Sequence, residues 1–371
     1  MTRILVAPTA FKGTLSPTEV AQAIAAGLRC GCARRRKRPH IFLVPLSDGG
    51  DGTVETLHLA LGGEVRHCQV EGAVGQPAQA KWLSLGRLAV VELASACGIG
   101  GLSQAQLQPM SASTVGLGQV LEACLLEGVS EIVIALGGSA STDGGAGCLF
   151  ALGARFFDEQ GRELPPGGGG MLSDIRNCDL RALAKWSSKA RFTIISDVEN
   201  PLLSDNGAAA VYAPQKGASG AQVEMLQSGL LNFADVLEAA TSARLRDLPG
   251  AGAAGGTAFG LAAALTAEIV PGFQWIADKC RLTARLEACD LIISGEGRFD
   301  SQSLKGKVIG QLLKATSKGS RRIWVIAAAV ENGLSADELG IERLIVVRPS
   351  HGQTVSQADI QQAMFDLAAQ I

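Results

Sequence analysis

The chain has 371 residues, 47% hydrophobic and 18% charged, which excludes both one small domain and global disorder and leaves room for two folded domains. Aromatic residues make up only 4%, whereas there are 46 glycines, a composition that favours close α/β packing of helices and strands. The net charge of -2 gives no overall electrostatic reason to bind nucleic acid or an anionic membrane.

Two local features bear on partners and location. The basic run from Arg34 to Arg38 has no interleaved aromatic residues, so it is typical of a solvated loop and not of a nucleic-acid surface. The nine cysteines are scattered, and no second Cys or His pair accompanies Cys30 and Cys32 at zinc-ligand spacing. With no leader and no apolar run of about 18 residues, we expect a cytoplasmic protein with free thiols and no membrane partner.

The amino-terminal segment predicts two β-loop-α units. Residues 3–7 form an apolar run before a helical pattern, and Ile41 to Val44 forms a second run that ends in a Gly-rich loop before the helical spacing of Val54 to Leu61. From 65 to 95, short strands separated by turn signals predict an antiparallel meander. A domain boundary near residue 65 follows.

The remaining chain alternates predicted strands with loops and helices. Buried-type strands are predicted at Glu131 to Leu136, Phe192 to Ser196, Asp290 to Ser294, Ile323 to Ala328 and Leu344 to Val347. Helices are predicted at Gln222 to Leu245 and Leu261 to Ile269.

This order predicts an α/β fold with two domains. The first is a Rossmann-like parallel-sheet domain built from both termini, residues 1–65 plus 285–371. The second is an inserted α/β domain with some antiparallel strands, residues 66–284. The active site is expected in the cleft between them, since open α/β sheets bind ligands at their strand ends and domain termini tolerate insertions.

Five loops combine glycines with carboxylates, cations or both, and each follows a predicted strand or opens a helix. They span residues 8–14, 47–53, 137–145, 196–201 and 295–303. Bare backbone amides beside Lys and Arg suit phosphate, and clustered carboxylates suit Mg²⁺. A single loop of this kind can be a helix cap, as Asp48, Asp143 and Asp300 could each be, but five together favour a phosphate-handling site.

Familiar catalytic signatures are absent from the sequence. There is no G-x-x-x-x-G-K-[ST] loop, no protein-kinase set and no G-x-S-x-G elbow. Gly250, Gly252 and Gly255 match the dinucleotide-binding pattern by letter, but Leu248 and Pro249 precede them. A nicotinamide-dependent dehydrogenase therefore stays open only if a strand precedes those glycines.

Taken together, seven segments resemble the bacterial type I glycerate kinases, or glycerate 2-kinases, over nearly the whole chain. They are APTAFKGTLSPTEVAQAI from Ala7, SDGGDGT from Ser47, GGSASTDGGAG from Gly137, SDVENPL from Ser196, YAPQKGAS from Tyr212, PGAGAAGG from Pro249 and SGEGRFDSQSLKGK from Ser294. The resemblance implies that ATP, with Mg²⁺, phosphorylates the small molecule D-glycerate, giving 2-phosphoglycerate in preference to 3-phosphoglycerate, in a monomer or homodimer.

The same resemblance implies roles for residues in the matching loops. The catalytic residues it implies are Asp197, Lys12, Asp48 and Arg298, with Asp197 the leading candidate for base or Mg²⁺ ligand and Asp48 a second Mg²⁺ ligand. Those implied for ATP are Gly137, Gly138, Ser139, Lys216, Gly295 and Gly297. Those implied for the substrate are Asp300, Ser301 and Gln302.

Several positions depart from the family pattern. Thr9 and Ala10 stand where Asp and Ser are common, Ile309 stands at a usual proline, and Ala328-Ala329 replaces a common Gly-Ser. These departures keep a second hypothesis open: a kinase-like sugar-acid or nucleotide-binding protein with an altered substrate or lost turnover.

Overall fold

The described residues divide into two units. The structure, a computed structural model, describes residues 2–11, 13–47, 49–301, 303–304, 308–316 and 321–371. The first unit comprises Met1–Asp48, Glu55–Gly62 and Phe273–Ile371, and the second comprises Gly49–Val54 and Gly63–Gly272.

The strands in chain order are β1 (Arg3–Val6), β2 (His40–Leu43), β3 (Glu64–Glu71), β4 (Pro77–Leu85), β5 (Leu88–Glu92), β6 (Glu131–Ala135), β7 (Arg155–Phe157), β8 (Asn177–Asp179), β9 (Arg191–Ile195), β10 (Glu268–Val270), β11 (Leu291–Phe299), β12 (Arg322–Val330) and β13 (Arg343–Val346).

The α-helices are α1 (Pro17–Arg34), α2 (Thr53–Leu61), α3 (Leu93–Cys97), α4 (Val115–Leu126), α5 (Ala146–Ala151), α6 (Ala184–Ser187), α7 (Ala208–Tyr212), α8 (Gly220–Thr241), α9 (Ala253–Leu265), α10 (Gly272–Lys279), α11 (Leu282–Ala288), α12 (Val308–Thr316) and α13 (Gln357–Leu367).

The first unit contains a parallel sheet of order β13-β12-β11-β1-β2. Its central strands are apolar runs, as expected for parallel strands covered on both faces, and Ile4, Leu291 and Trp324 are fully buried. Helix α1 begins with a capping box between Ser16 and Glu19. It packs closely on α13, because a Cβ on Gly27 would lie 2.2 Å from a carbonyl oxygen of that helix.

The second unit contains a mixed sheet of order β10-β9-β6-β5-β4-β3. Strands β3, β4 and β5 pair antiparallel, which confirms the predicted meander, whereas β5, β6, β9 and β10 pair parallel. Phe156, Phe233 and Phe259 meet edge to face in its core. The two sheets confirm the predicted α/β class.

The unit bounds differ from the predicted domain bounds at three places, one of which is residues 63–65, which group with the second unit. Residues 273–284, which the sequence pattern placed in the inserted domain, group with the first unit. Residues 49–54 group with the second unit because the Gly137 amide donates to the Gly49 carbonyl oxygen at 3.1 Å, and the Val54 amide donates to the Glu92 carboxylate.

Several predicted elements have different bounds. Strand β11 continues past Ser294 to Phe299, and α8 ends at Thr241, four residues before the predicted end at 245. The helix predicted at 261–269 begins at Ala253 and ends at Leu265, and residues 268 and 269 belong to β10 instead. In the part of the chain that the structure describes, no helix combines the length and the apolar character that crossing a bilayer requires.

Candidate active site

In the first unit, the segment that follows β1 is hydrogen-bonded to the middle of the neighbouring parallel strand β11. The Thr9 amide and the Thr9 hydroxyl both donate to the Gly295 carbonyl oxygen, at 2.7 and 3.1 Å. The Ser294 hydroxyl donates to the Ala7 carbonyl oxygen at 2.8 Å. Thr9, one of the departures from the family pattern, therefore binds protein backbone here.

Gly295 and Gly297, predicted in a loop, lie within β11, and Gly295 pairs with Ile326 of β12. A Cβ on Gly295 would come within 2.8 Å of the Ile326 carbonyl oxygen, so this position requires glycine because the two strands approach closely. The extension of β11 carries Arg298 to the carboxyl edge of the sheet, where its side chain is 71% exposed.

Asp300 organises the turn that follows β11. Its carboxylate accepts hydrogen bonds from the Ser303 amide and hydroxyl at 3.0 and 3.2 Å, and it lies 3.8 Å from the Arg298 guanidinium. The Ser301 amide donates to the Glu331 carboxylate at 2.7 Å. Ser303 closes the predicted loop at 295–303, whereas sequence reasoning did not identify Glu331, which also holds the turn. Lys12, Asp48 and Gln302 lie outside the described residues.

In the second unit, the loop at 137–145 follows β6 and opens α5. A Cβ on Gly137 would lie 2.4 Å from the Gly50 Cα, and one on Gly49 would lie 2.8 Å from the Ile195 carbonyl oxygen. The glycines at 49 and 50 thus let this segment approach the carboxyl ends of β6 and β9. Gly138 has φ +77, in the left-handed region.

The Ser141 peptide is held at both ends within this loop. Its amide donates to the Ser139 hydroxyl at 3.2 Å, and the same hydroxyl lies 3.3 Å from the Ser141 carbonyl oxygen. The buried Lys216 ammonium group also donates to that carbonyl oxygen. Gly255 packs against the peptide, because a Cβ there would lie 2.3 Å from the oxygen.

Asp143 is a buried structural carboxylate, which agrees with the interpretation of this residue as a helix cap. It accepts from the Thr114 amide and hydroxyl at 2.8 and 2.7 Å, and from the amides of Gly145 and Gly147 at 3.2 and 3.3 Å. Burial raises the pKa of this carboxyl group, and the hydrogen bonds from Thr114 and the two glycines oppose that rise. The bonds join the first turns of α4 and α5.

Burial lowers the pKa of Lys216 to about 8, and the charge of Asp143 partly offsets that effect. Lys216 ends a short 3₁₀ turn that begins at Pro214, and Gly217 follows it in the left-handed region. The side chain is 2% exposed, so its amine is directed into the second unit.

Asp197 is exposed directly after β9, next to the end of β6 in the same sheet. The neighbouring Val198 amide donates to the Ser196 hydroxyl at 3.2 Å.

Sequence reasoning missed Glu92, a fully buried carboxylate at the carboxyl end of β5. The sequence pattern that could have identified Glu92 is a charged residue at the end of an apolar run.

The geometry decides the dinucleotide-binding alternative. Residues 242–249 form no strand, and Ala254, Gly255 and Gly256 are successive left-handed residues within the span of α9. A strand that leads directly into the glycines is what the dinucleotide fold requires, so the dehydrogenase hypothesis is wrong. Gly255 instead packs against Ser141, and Gly252 packs against the Pro201 carbonyl oxygen.

Comparisons with known proteins agree on one family. The sequence model of the glycerate kinase family matches residues 4–371. A glycerate kinase from Halalkalibacterium halodurans is 35% identical over 99% of this chain and 98% of its own length. The glycerate 2-kinase of Escherichia coli is 36% identical over 94% of this chain and 91% of its own length. A solved structure of a protein assigned as glycerate kinase 2, from Salmonella typhimurium LT2, superposes with a TM-score of 0.85 at 33% identity, covering 100% of this chain and 98% of that one.

Proposed function

Because the chain belongs to the glycerate kinase family, we propose that it transfers the γ-phosphoryl group of ATP to D-glycerate and releases 2-phosphoglycerate. The observation that carries the proposal is the family match over residues 4–371, on a fold whose parallel strands end in glycine-rich loops with charged side chains. The choice of the 2-hydroxyl is supported by the relative named glycerate 2-kinase.

Phosphoryl transfer requires little covalent chemistry from a protein, so catalysis rests on positioning the acceptor hydroxyl and on neutralising charge on the transferring group. In this proposal the loop of Gly137, Gly138 and Ser139 offers backbone amides and a hydroxyl to the ATP phosphates. Gly295 and Gly297, which lie within β11, keep the role toward ATP that the family resemblance implies. Arg298 pairs with phosphate or with the glycerate carboxylate, since its exposed guanidinium can form paired bonds to either.

Asp197 is proposed as the base that accepts the proton of the glycerate hydroxyl, or as a Mg²⁺ ligand. Its position after β9 suits both roles, because parallel sheets bind ligands at the carboxyl ends of their strands. Asp300 and Ser301 are proposed to hold the substrate. Lys12, Asp48 and Gln302 keep the roles that the family resemblance implies.

The donor chemistry of the described residues fits Mg²⁺ but not a metal cage made by the protein alone. Among the described residues, no group of three or more His, Cys, Asp or Glu side chains is placed to hold a metal ion. Mg²⁺ usually takes one or two carboxylates together with substrate phosphates, and Asp197 can supply one such carboxylate. Bound there, the ion would neutralise charge on the phosphates.

The cysteines in the described structure form no disulfide, which suits a reducing cytoplasm and supports the proposal that the enzyme acts there. The predictions of a monomer or homodimer and of no nucleic-acid partner belong to the same proposal.

The test is to incubate purified protein with ATP, Mg²⁺ and D-glycerate and to resolve the products by phosphorus NMR. We expect ADP and 2-phosphoglycerate. Formation of 3-phosphoglycerate would contradict the proposed regiochemistry. Binding of ATP and glycerate without turnover would instead favour the kinase-like binding protein that the departures at Thr9 and Ala10 left open.

A further inference from the structure

Lys216 is an unusual residue to bury, because taking an ammonium group out of water is costly unless partners compensate for the lost hydration. Its side chain is 2% exposed, and its hydrogen-bond acceptor is the main-chain oxygen of Ser141. An apolar side chain of similar length would fill the same space at a lower desolvation cost. The charge is therefore expected to serve a purpose beyond packing.

The Ser141 carbonyl group links Lys216 to the loop that we propose binds ATP. The Ser139 hydroxyl contacts the main chain of Ser141 at two points, accepting from its amide and donating to its carbonyl oxygen. The backbone of Gly255 lies so close to that oxygen that there is no room for a Cβ atom. The orientation of the Ser139 hydroxyl thus depends on a peptide group that the Lys216 ammonium group holds.

Asp143 favours the protonated form of Lys216. Each hydrogen bond at the Asp143 carboxylate comes from a donor, on Thr114, Gly145 or Gly147, and this is the arrangement that an ionised carboxylate requires. Its negative charge raises the pKa of Lys216 against the larger lowering effect of burial.

We propose that Lys216 is a positioning residue, whose ammonium group holds the Ser141 carbonyl oxygen and through it keeps Ser139 and the preceding glycines in the conformation that binds the ATP phosphates. The inference rests on the proposed function, and it gives Lys216 a role different from direct contact with a phosphate.

The experiment measures the Kd of ATP in the presence of Mg²⁺ by calorimetry, together with kcat and the KM of D-glycerate. Lys216→Met is expected to raise the Kd of ATP at least tenfold at pH 7 and to change the KM of D-glycerate less than twofold. Lys216→Arg retains a charged donor and should recover much of the lost affinity. The matched control is Lys189→Met, an exposed lysine of the same unit, which should change neither constant by more than twofold.

A double-mutant cycle separates positioning from direct contact. If Lys216 acts through Ser139, adding Ser139→Ala to Lys216→Met should weaken ATP binding little beyond the more damaging single variant. Direct contacts of both residues with phosphate would instead give losses that add, and that result would overturn the positioning role.

The pH dependence of the wild-type protein tests the proposal even if Lys216→Met does not fold. The pKa of Lys216 is about 8, Asp143 is the charged group that faces it from the loop, and the ATP phosphates are already ionised above pH 7. The Kd of ATP should therefore rise several-fold between pH 7.5 and 9.5. A Kd that changes less than twofold over that range would overturn the proposal.

The experiments distinguish failure of the proposed function from failure of the positioning role of Lys216. ATP binding that responds to Lys216→Met and to pH, without phosphorylation of glycerate, would overturn only the proposed function. Phosphorylation of glycerate with ATP binding that is insensitive to both would overturn only the role of Lys216.

Discussion

At the scale of single residues, Asp197→Asn is expected to lower kcat by about a hundredfold or more, because a base or metal-binding carboxylate acts mainly in the transition state. The exposed position of Asp197 after β9 means that its loss removes little packing, so the free energy of unfolding should stay close to that of the wild type. Steady-state kinetics and urea unfolding measure the two quantities. Asp205→Asn, at an exposed position a few residues on, is the control. Near-normal turnover in Asp197→Asn would remove the proposed role.

The hydroxyl of Thr9 is expected to stabilise the junction of β1 and β11. Thr9→Val removes its 3.1 Å bond to the Gly295 carbonyl oxygen and should lower the free energy of unfolding by about 1 kcal/mol. Thr9→Ser keeps the donor and should lose less. Equal stability of Thr9→Val and the wild type in urea unfolding would show that water replaces the bond without cost. An aspartate at this position could not donate to the carbonyl oxygen, so it would have to turn away from β11.

At the scale of elements, the left-handed turn at 254–256 is expected to be sensitive to side chains. Gly255 has φ +66, and a Cβ there would lie 2.3 Å from the Ser141 carbonyl oxygen, so Gly255→Ala should cost about 1–3 kcal/mol and weaken ATP binding. Gly220→Ala in the first turn of α8 has nothing within 4 Å of the new Cβ and should be close to neutral. Calorimetric unfolding and ATP titration test both. A stable, tightly binding Gly255→Ala protein would contradict the close contact.

Several elements were predictable because their apolar patterns are local. The runs that became β1, β6 and β9 and the meander of β3 to β5 follow from spacing and turn residues alone. Strand β11 was predicted too short because Gly295 and Gly297 are typical of loops, whereas pairing with β12 extends the strand through them. Residues 268 and 269 were assigned to the end of a helix because a short apolar segment has no distinctive period, and pairing with β9 decides its structure.

The candidate site was predictable in outline from its motifs, but not in its contacts. Lys216 and Asp197 both stand in loops with charged or glycine neighbours, and nothing in the sequence indicates that the first is buried and the second exposed. The difference arises from the packing of α9 and the loop after β6, which are far apart in sequence. Glu92 was missed for the same reason, since its burial depends on strands on both sides of β5.

At the scale of the whole molecule, stability is expected to fall above pH 9. Burial raises the pKa of Cys97 to about 12 and those of Cys178 and Cys280 to about 11, so the folded state keeps thiol protons that the unfolded state releases from pH 9 upward. Lys216 has the opposite sign, because its pKa is lowered to about 8 and stability rises as it loses its proton. The combined contribution of these thiols to the pH dependence of the free energy of unfolding is larger than the opposing contribution of Lys216.

The measurement is urea unfolding under reducing conditions at pH 8, 9 and 10. The free energy of unfolding should fall from pH 9 to pH 10, where the unfolded state releases the thiol protons that the folded state keeps. Lys216→Met, if it folds, removes the opposing contribution, so its stability should fall more steeply than that of the wild type between pH 8 and 10. A free energy that stays constant or rises to pH 10 would contradict the burial of these thiols.

The strand pairing of the first unit has a consequence for synthesis on the ribosome. Ile4 of β1 pairs with Leu291 of β11. Strand β1 therefore cannot pair with β11 until the ribosome has synthesised the chain as far as β11. At typical bacterial elongation rates of about 5–20 residues per second, that wait lasts about 15–60 s. During it, residues 63–272 can complete their own sheet, while the apolar β1 and the apolar face of α1 remain uncovered. We therefore expect β1 and α1 to benefit from chaperone binding during that interval.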